Sequence, residues 1–86
     1  MDESLHHFPC EFAIKIFGIA SDEFEIHALT IIRKHFPDLK ENAIQSRKSK
    51  DGKYLALTIT VQLASRDKAD EIYHELTASP YVLMAL

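Results

Sequence analysis

Eighty-six residues with a formal charge of −3 and only two glycines leave room for one core and little else, so residues 1–86 read as one domain. The acidic balance argues against a general nucleic-acid binder, and two glycines cannot build a phosphate-cradling loop. No apolar run approaches the ~20 residues of a membrane span. One cysteine, Cys10, excludes an internal disulfide framework and favours a reducing compartment. Residues 1–7 are read as a flexible polar tail without the basic and apolar regions of a signal peptide, and a cytoplasmic location is expected.

The first strand is expected over residues 12–17. Phe12, Ile14 and Ile16 alternate onto one face, and Ala13, Lys15 and Phe17 onto the other. Gly18 is read as breaking that strand and letting the chain turn. Ser21 or Asp22 can then cap a helix whose positive end suits Glu23 and Glu25. Phe24, Ala28, Ile31, Ile32 and His35 recur at helical spacing, and Pro37 stops the helix near His35 or Phe36. Ala43 to Ser49 form a weaker, polar second strand. Lys50-Asp51-Gly52-Lys53 follows, a hairpin signal because a tight turn needs the positive φ that Gly adopts freely.

The third strand is the clearest element. Leu55, Leu57, Ile59, Val61 and Leu63 alternate with Tyr54, Ala56, Thr58, Thr60 and Gln62. Ser65 caps a second helix with Ala69, Ile72, Tyr73 and Leu76 as its apolar stripe. After Pro80, residues 81–86 form a last strand, with Val82, Met84 and Leu86 expected inward.

The order β-α-β-β-α-β gives an α+β ferredoxin-like sandwich: a four-stranded antiparallel sheet in order 4-1-3-2 with both helices on one face. The first and third strands are expected as its central pair, running parallel, with the polar second strand at an edge. The residues also resemble the YbeD family of small conserved bacterial proteins of unknown function. The resemblance spans about Phe8 to Leu86 and is carried by the order of Phe8-Pro9, Phe12, Lys15 and Gly18, then Gly52-x-Tyr54 before Thr58-Ile59-Thr60, then Ile72-Tyr73-x-Glu75-Leu76, then Val82-x-Met84-x-Leu86. It implies an ACT-like fold, a regulatory or adaptor role and a link to lipoate metabolism, and names no ligand. Leu83 stands where family members often carry a basic residue, so the outer face here is more apolar.

No constellation of residues points to catalysis. His6-His7-x-x-Cys10 has metal-ligand types but lacks a fourth partner; it reads as a flexible tail beside a small core or edge cysteine, and no metal or cofactor is expected. His27, His35 and His74 read as surface or boundary residues of the helices. Asp22, Glu23 and Glu25 favour a helix dipole, while Asp67, Asp70, Glu71 and Glu75 read as a solvent face with Arg66 and Lys68. There is no nucleophile motif, and an enzyme is not expected.

Two surfaces stand out. Arg47, Lys48, Lys50 and Lys53 crowd the hairpin, a candidate contact for an anion or partner, although such charges also guard an edge strand from pairing. An RNA-binding reading fails because Ala56, Thr58 and Thr60 stand where base-stacking aromatics belong. The sheet face away from the helices, with Lys15, Phe17, Tyr54, Ala56, Thr58, Tyr81 and Leu83, together with Ala13, Thr60 and Ala85, is the candidate interface. The expected function is a non-catalytic regulatory or adaptor domain that self-associates or docks a protein through this face or a sheet edge. The alternative is an ACT-like small-metabolite sensor using the loop from Gly18 to Ser21, which lacks the acidic residue and second glycine common in amino-acid-binding ACT domains. Neither a nucleic acid nor a membrane is expected as partner.

Overall fold

The computed structural model describes residues 8–86; the tail with His6 and His7 lies outside them. In chain order come β1 (Cys10–Ile19), α1 (Asp22–His35), a 3-10 turn (Glu41–Ala43), β2 (Ile44–Lys48), β3 (Tyr54–Leu63), α2 (Arg66–Ala78) and β4 (Val82–Ala85). The sheet runs β2-β3-β1-β4, which is the expected order read from the other edge. Every neighbouring pair is antiparallel. That corrects the parallel central pair: the hairpin after β2 reverses the chain once before β3 reaches β1.

Alternation decides which side is buried. Ile14 and Ile16 of β1, with Leu57 and Ile59 of β3, are wholly inaccessible and pack with Phe24, Ala28 and Ile32 of α1 and Ile72 and Leu76 of α2. Burying each of the larger side chains among these is worth roughly 1.5–3 kcal/mol, and among the described residues no polar or charged residue is buried with them. Both helices start as the sequence implies. Ser21 Oγ accepts from the Phe24 amide at 3.1 Å and Ser65 Oγ from the Lys68 amide at 3.1 Å, satisfying donors that would otherwise lack partners. Neither helix is long and apolar enough to cross a membrane.

Two expectations about the strands need correction. Gly18 does not end β1: it is buried within a strand that continues to Ile19. Its φ is not positive, and what it supplies is space, because a Cβ there would drive into the Phe24 ring. β4 also changes phase. Gly18 pairs with Val82 but Phe17 pairs with Met84, so Leu83 is an extra residue in the ladder. Beyond this bulge Ala85 pairs with inward-facing Ile16 and Met84 with outward-facing Phe17. Ala85 therefore lies on the helix side. Met84 and Leu86, expected inward, are 47% and 58% exposed.

Candidate functional site

Register assembles the open side of the sheet row by row. Met84, Phe17, Ala56 and Arg47 lie across the four strands in one row. In the next, the backbone groups of Leu86 and Lys15 exchange hydrogen bonds of 2.7 and 2.9 Å, and Lys15 pairs with Thr58 and Thr58 with Gln45. Ala13 and Thr60 pair beyond them, and Ile19 pairs with Tyr54 at the hairpin end. Ile19, Tyr54, Leu83, Met84 and Leu86 are all exposed. The result is an apolar strip crossed by two cations, Lys15 and Arg47.

Of the residues assigned to this face from sequence, Lys15, Phe17, Tyr54, Ala56 and Thr58 lie on it. Leu83 sits at the bulge on its border and is exposed. Tyr81 does not belong there. It precedes β4, and its ring rests against His27 of α1 with centroids 4.5 Å apart, which ties it to the helix layer. Met84 and Leu86 take places that strict alternation denied them, and no residue type in β4 signals the bulge.

The basic hairpin does not form one cationic surface. Arg47 pairs with Ala56 on the open side, whereas Lys48 pairs with Leu55, whose side chain is buried on the helix side. Lys50 and Lys53 lie in the turn, where Lys53 Nζ stands 5.4 Å from the centroid of the Tyr54 ring. The turn itself is tightly specified. Gly52 takes φ 73°, and its amide donates to Ser49 O at 2.9 Å. Ser49 Oγ donates to Asp51 Oδ1 at 2.6 Å and accepts from the Tyr54 amide at 3.0 Å. The Lys53 amide also donates to Asp51 Oδ1, at 3.0 Å. These two bonds, Ser49 first, hold the Asp51 carboxyl below its ordinary value.

Charge is divided between the layers. The strands carry Lys15, Arg47 and Lys48 against Glu11, while the helices carry Asp22, Glu23, Glu25, Asp67, Asp70, Glu71 and Glu75 with Arg33, Lys34, Arg66 and Lys68. A shallow cleft of about 240 Å³ opens beside Arg47, Phe17, Tyr54 and Ala56 at the hairpin end. Cys10 is a half-buried free thiol at the start of β1.

Comparison with known proteins follows the fold closely. The model of a family described as "Protein of unknown function (DUF493)" matches residues 3–86. A UPF0250 protein of Chromobacterium violaceum is 43% identical over 84 residues, covering 98% of this chain and 94% of that one. A UPF0250 protein of Nitrosomonas europaea is 39% identical over 85 residues, covering 99% and 98%. Among solved structures, protein HP0495 from H. pylori superimposes with a TM-score of 0.76 at 13% identity, covering 94% of this chain and 85% of that chain. The ACT domain from GTP pyrophosphokinase of Chlorobium tepidum follows with a TM-score of 0.69 at 18% identity, covering 88% and 94%. Identities this low speak to the fold alone.

Proposed function

The chain belongs to the DUF493 family of proteins of unknown function, and from that premise we propose that it is a non-catalytic, cytoplasmic adaptor whose open sheet face docks an acidic, partly apolar segment of another protein. The observation that carries this reading is the row Met84, Phe17, Ala56 and Arg47 beside the row Leu86, Lys15, Thr58 and Gln45. Exposed apolar side chains give contact area, and Lys15 and Arg47 select charge. Two copies meeting through this face would set Lys15 and Arg47 of one against those of the other unless Glu11 relieved them. An acidic partner therefore fits better than self-association.

A photo-crosslinking amino acid at Phe17 or Met84 tests the reading in cells, with Thr30 on α1 as the control position. A heteromeric adduct from the sheet positions, lost when Lys15 and Arg47 are changed to Glu and kept when Lys50 and Lys53 are, supports it. An adduct of twice the protein's mass alone would replace the partner with a second copy. Adducts from Thr30 but not from Phe17 or Met84 would overturn the choice of face.

A second reading draws on the cleft beside Arg47, in which an anionic metabolite with an apolar body would meet the guanidinium and the Phe17 and Tyr54 rings. A sensor of this kind would shift in thermal stability with one amino acid, lipoyl compound or nucleotide. A ligand at 100 times its dissociation constant adds about 2.7 kcal/mol, which a melting curve resolves easily. Silence across the panel leaves the adaptor.

A further inference from the structure

On the opposite side of the molecule the two helices bring together a group of side chains that the open face does not use. His35 is the last residue of α1; Glu71 and Glu75 lie one turn apart on α2 and so share a face. One ligand atom from each falls within 4.8 Å of the others. We infer that His35, Glu71 and Glu75 form a site for a single divalent cation of the zinc class, clamping the end of α1 to α2.

The histidine points to an ion. Its side chain is only 3% exposed, yet its Nε2 is buried and makes no hydrogen bond. Its one polar neighbour of note is the Glu75 carboxylate, and a buried nitrogen without a well-directed hydrogen bond is costly and uncommon. Glu75 Oε2 lies 3.2 Å from Nε2, a distance suited to a hydrogen bond but without the required direction. Two ligands bound tetrahedrally to Zn²⁺ at 2.0–2.1 Å stand about 3.3 Å apart, close to the 3.2 Å found here. The nitrogen and the carboxylate oxygen are thus spaced as two ligands of one ion would be. Lys34 Nζ binds the other oxygen, Oε1, at 2.8 Å; it can stay there while Oε2 turns to the ion. Glu71 is exposed, and its carboxylate, within 4.8 Å of the other two ligand atoms, would supply the third ligand, leaving a fourth position to water.

The donor set chooses the metal. An imidazole nitrogen with two carboxylates suits Zn²⁺ and its neighbours, whereas Mg²⁺ and Ca²⁺ prefer oxygen throughout. This cluster shares no residue with the sequence group His6, His7 and Cys10, and the sequence does not show it because its members come from different helices.

The test is titration calorimetry with ZnCl₂, in the full chain carrying His6→Ala, His7→Ala and Cys10→Ser so that the N-terminal residues cannot contribute. One Zn²⁺ per chain is expected, undisturbed by a hundredfold excess of MgCl₂, with a rise in melting temperature. Glu71→Gln, an exposed change that leaves the packing intact, should weaken binding by at least the roughly 10–100-fold that even an outer-shell partner is worth. His35→Gln should abolish it. Nitrogen NMR of the imidazoles adds a readout independent of those variants: Zn²⁺ should move His35 Nε2 and leave His27 and His74 in place. Absence of stoichiometric binding, binding unchanged in Glu71→Gln, or shifts at His27 or His74 instead of His35 would each overturn the site.

Discussion

The two faces of the sheet are made by the same strands, residue by alternate residue, and they differ in almost everything else. Ile14, Ile16, Leu57 and Ile59 have no accessible surface, because both helices close over them. Lys15 and Thr58 stand between these residues in sequence and Phe17 and Ala56 next to them, and the four register with one another on the side that no described helix covers. The inner face is chemically uniform, and there volume is the constraint. The outer face mixes exposed apolar groups with Lys15 and Arg47, a mixture that packing inside this chain does not require. Fold information and recognition information are therefore carried on alternate positions of the same strands.

The sharpest way to break this comparison is to truncate one side chain from each face of β3. Leu57→Ala or Ile59→Ala removes a wholly buried side chain and should cost about 2–5 kcal/mol, enough to unfold a small domain or leave it marginal. Thr58→Ala lies between them on the other face and should cost well under ~1 kcal/mol. Urea denaturation midpoints rank the three. A Thr58→Ala variant weaker than the other two would mean that the faces have been exchanged.

How much of this was legible beforehand follows from the same contrast. β3 and both helix stripes could be read because each has a single side facing the core, and the period of apolar residues then reports that side directly. β4 could not. Its one-residue bulge at Leu83 inverts the pattern halfway, and Tyr81-Val82-Leu83-Met84-Ala85-Leu86 is apolar on both sides, so alternation had nothing to count. Tyr81 was misplaced for a related reason: its partner is His27 on a distant helix, not a neighbour in a strand. The candidate face was legible in β1 and β3 and incomplete at β4, where Met84 and Leu86 were lost. The hairpin cations were found as a cluster in sequence, but pleating separates Arg47 from Lys48. His35 with Glu71 and Glu75 exists only in three dimensions.

Gly18 sharpens the comparison from the inside. Its role is the close approach of the Phe24 ring, a packing constraint on the inner face, where a turn had been expected. Phe24 is itself 1% exposed and packed in the core cluster. Gly18→Ala should therefore destabilise by ~1–3 kcal/mol, the usual cost of overpacking. The same change made in a Phe24→Leu background should cost distinctly less, because the colliding ring atoms are gone, and a double-mutant cycle measures the difference. Equal costs in the two backgrounds would show that Gly18 is needed for backbone reasons instead.

The smallest expected effect lies at the hairpin, where β2 and its Arg47 are held at the edge of the open face. Asp51 is bonded by Ser49 Oγ and by the Lys53 amide in the folded protein, so its carboxyl titrates below its ordinary value. The sign follows from linkage. A depressed carboxyl pKa contributes stability that is present above the unfolded-state value and is lost as pH falls through the folded-state value. Acidification should thus loosen the turn while Leu57 and Ile59, surrounded by apolar groups, are unaffected. Carbon NMR of the Asp51 carboxyl should report a midpoint below the usual carboxylate range, and the Lys53 amide should shift with the same midpoint. Ser49→Ala removes the larger of the two causes and should move both midpoints upward together. If Asp51 titrated in the ordinary range, or if the Lys53 amide ignored it, the turn would be held by Gly52 and the strand ladder alone. Arg47 would then owe its place on the open face to the β2–β3 register and not to the turn.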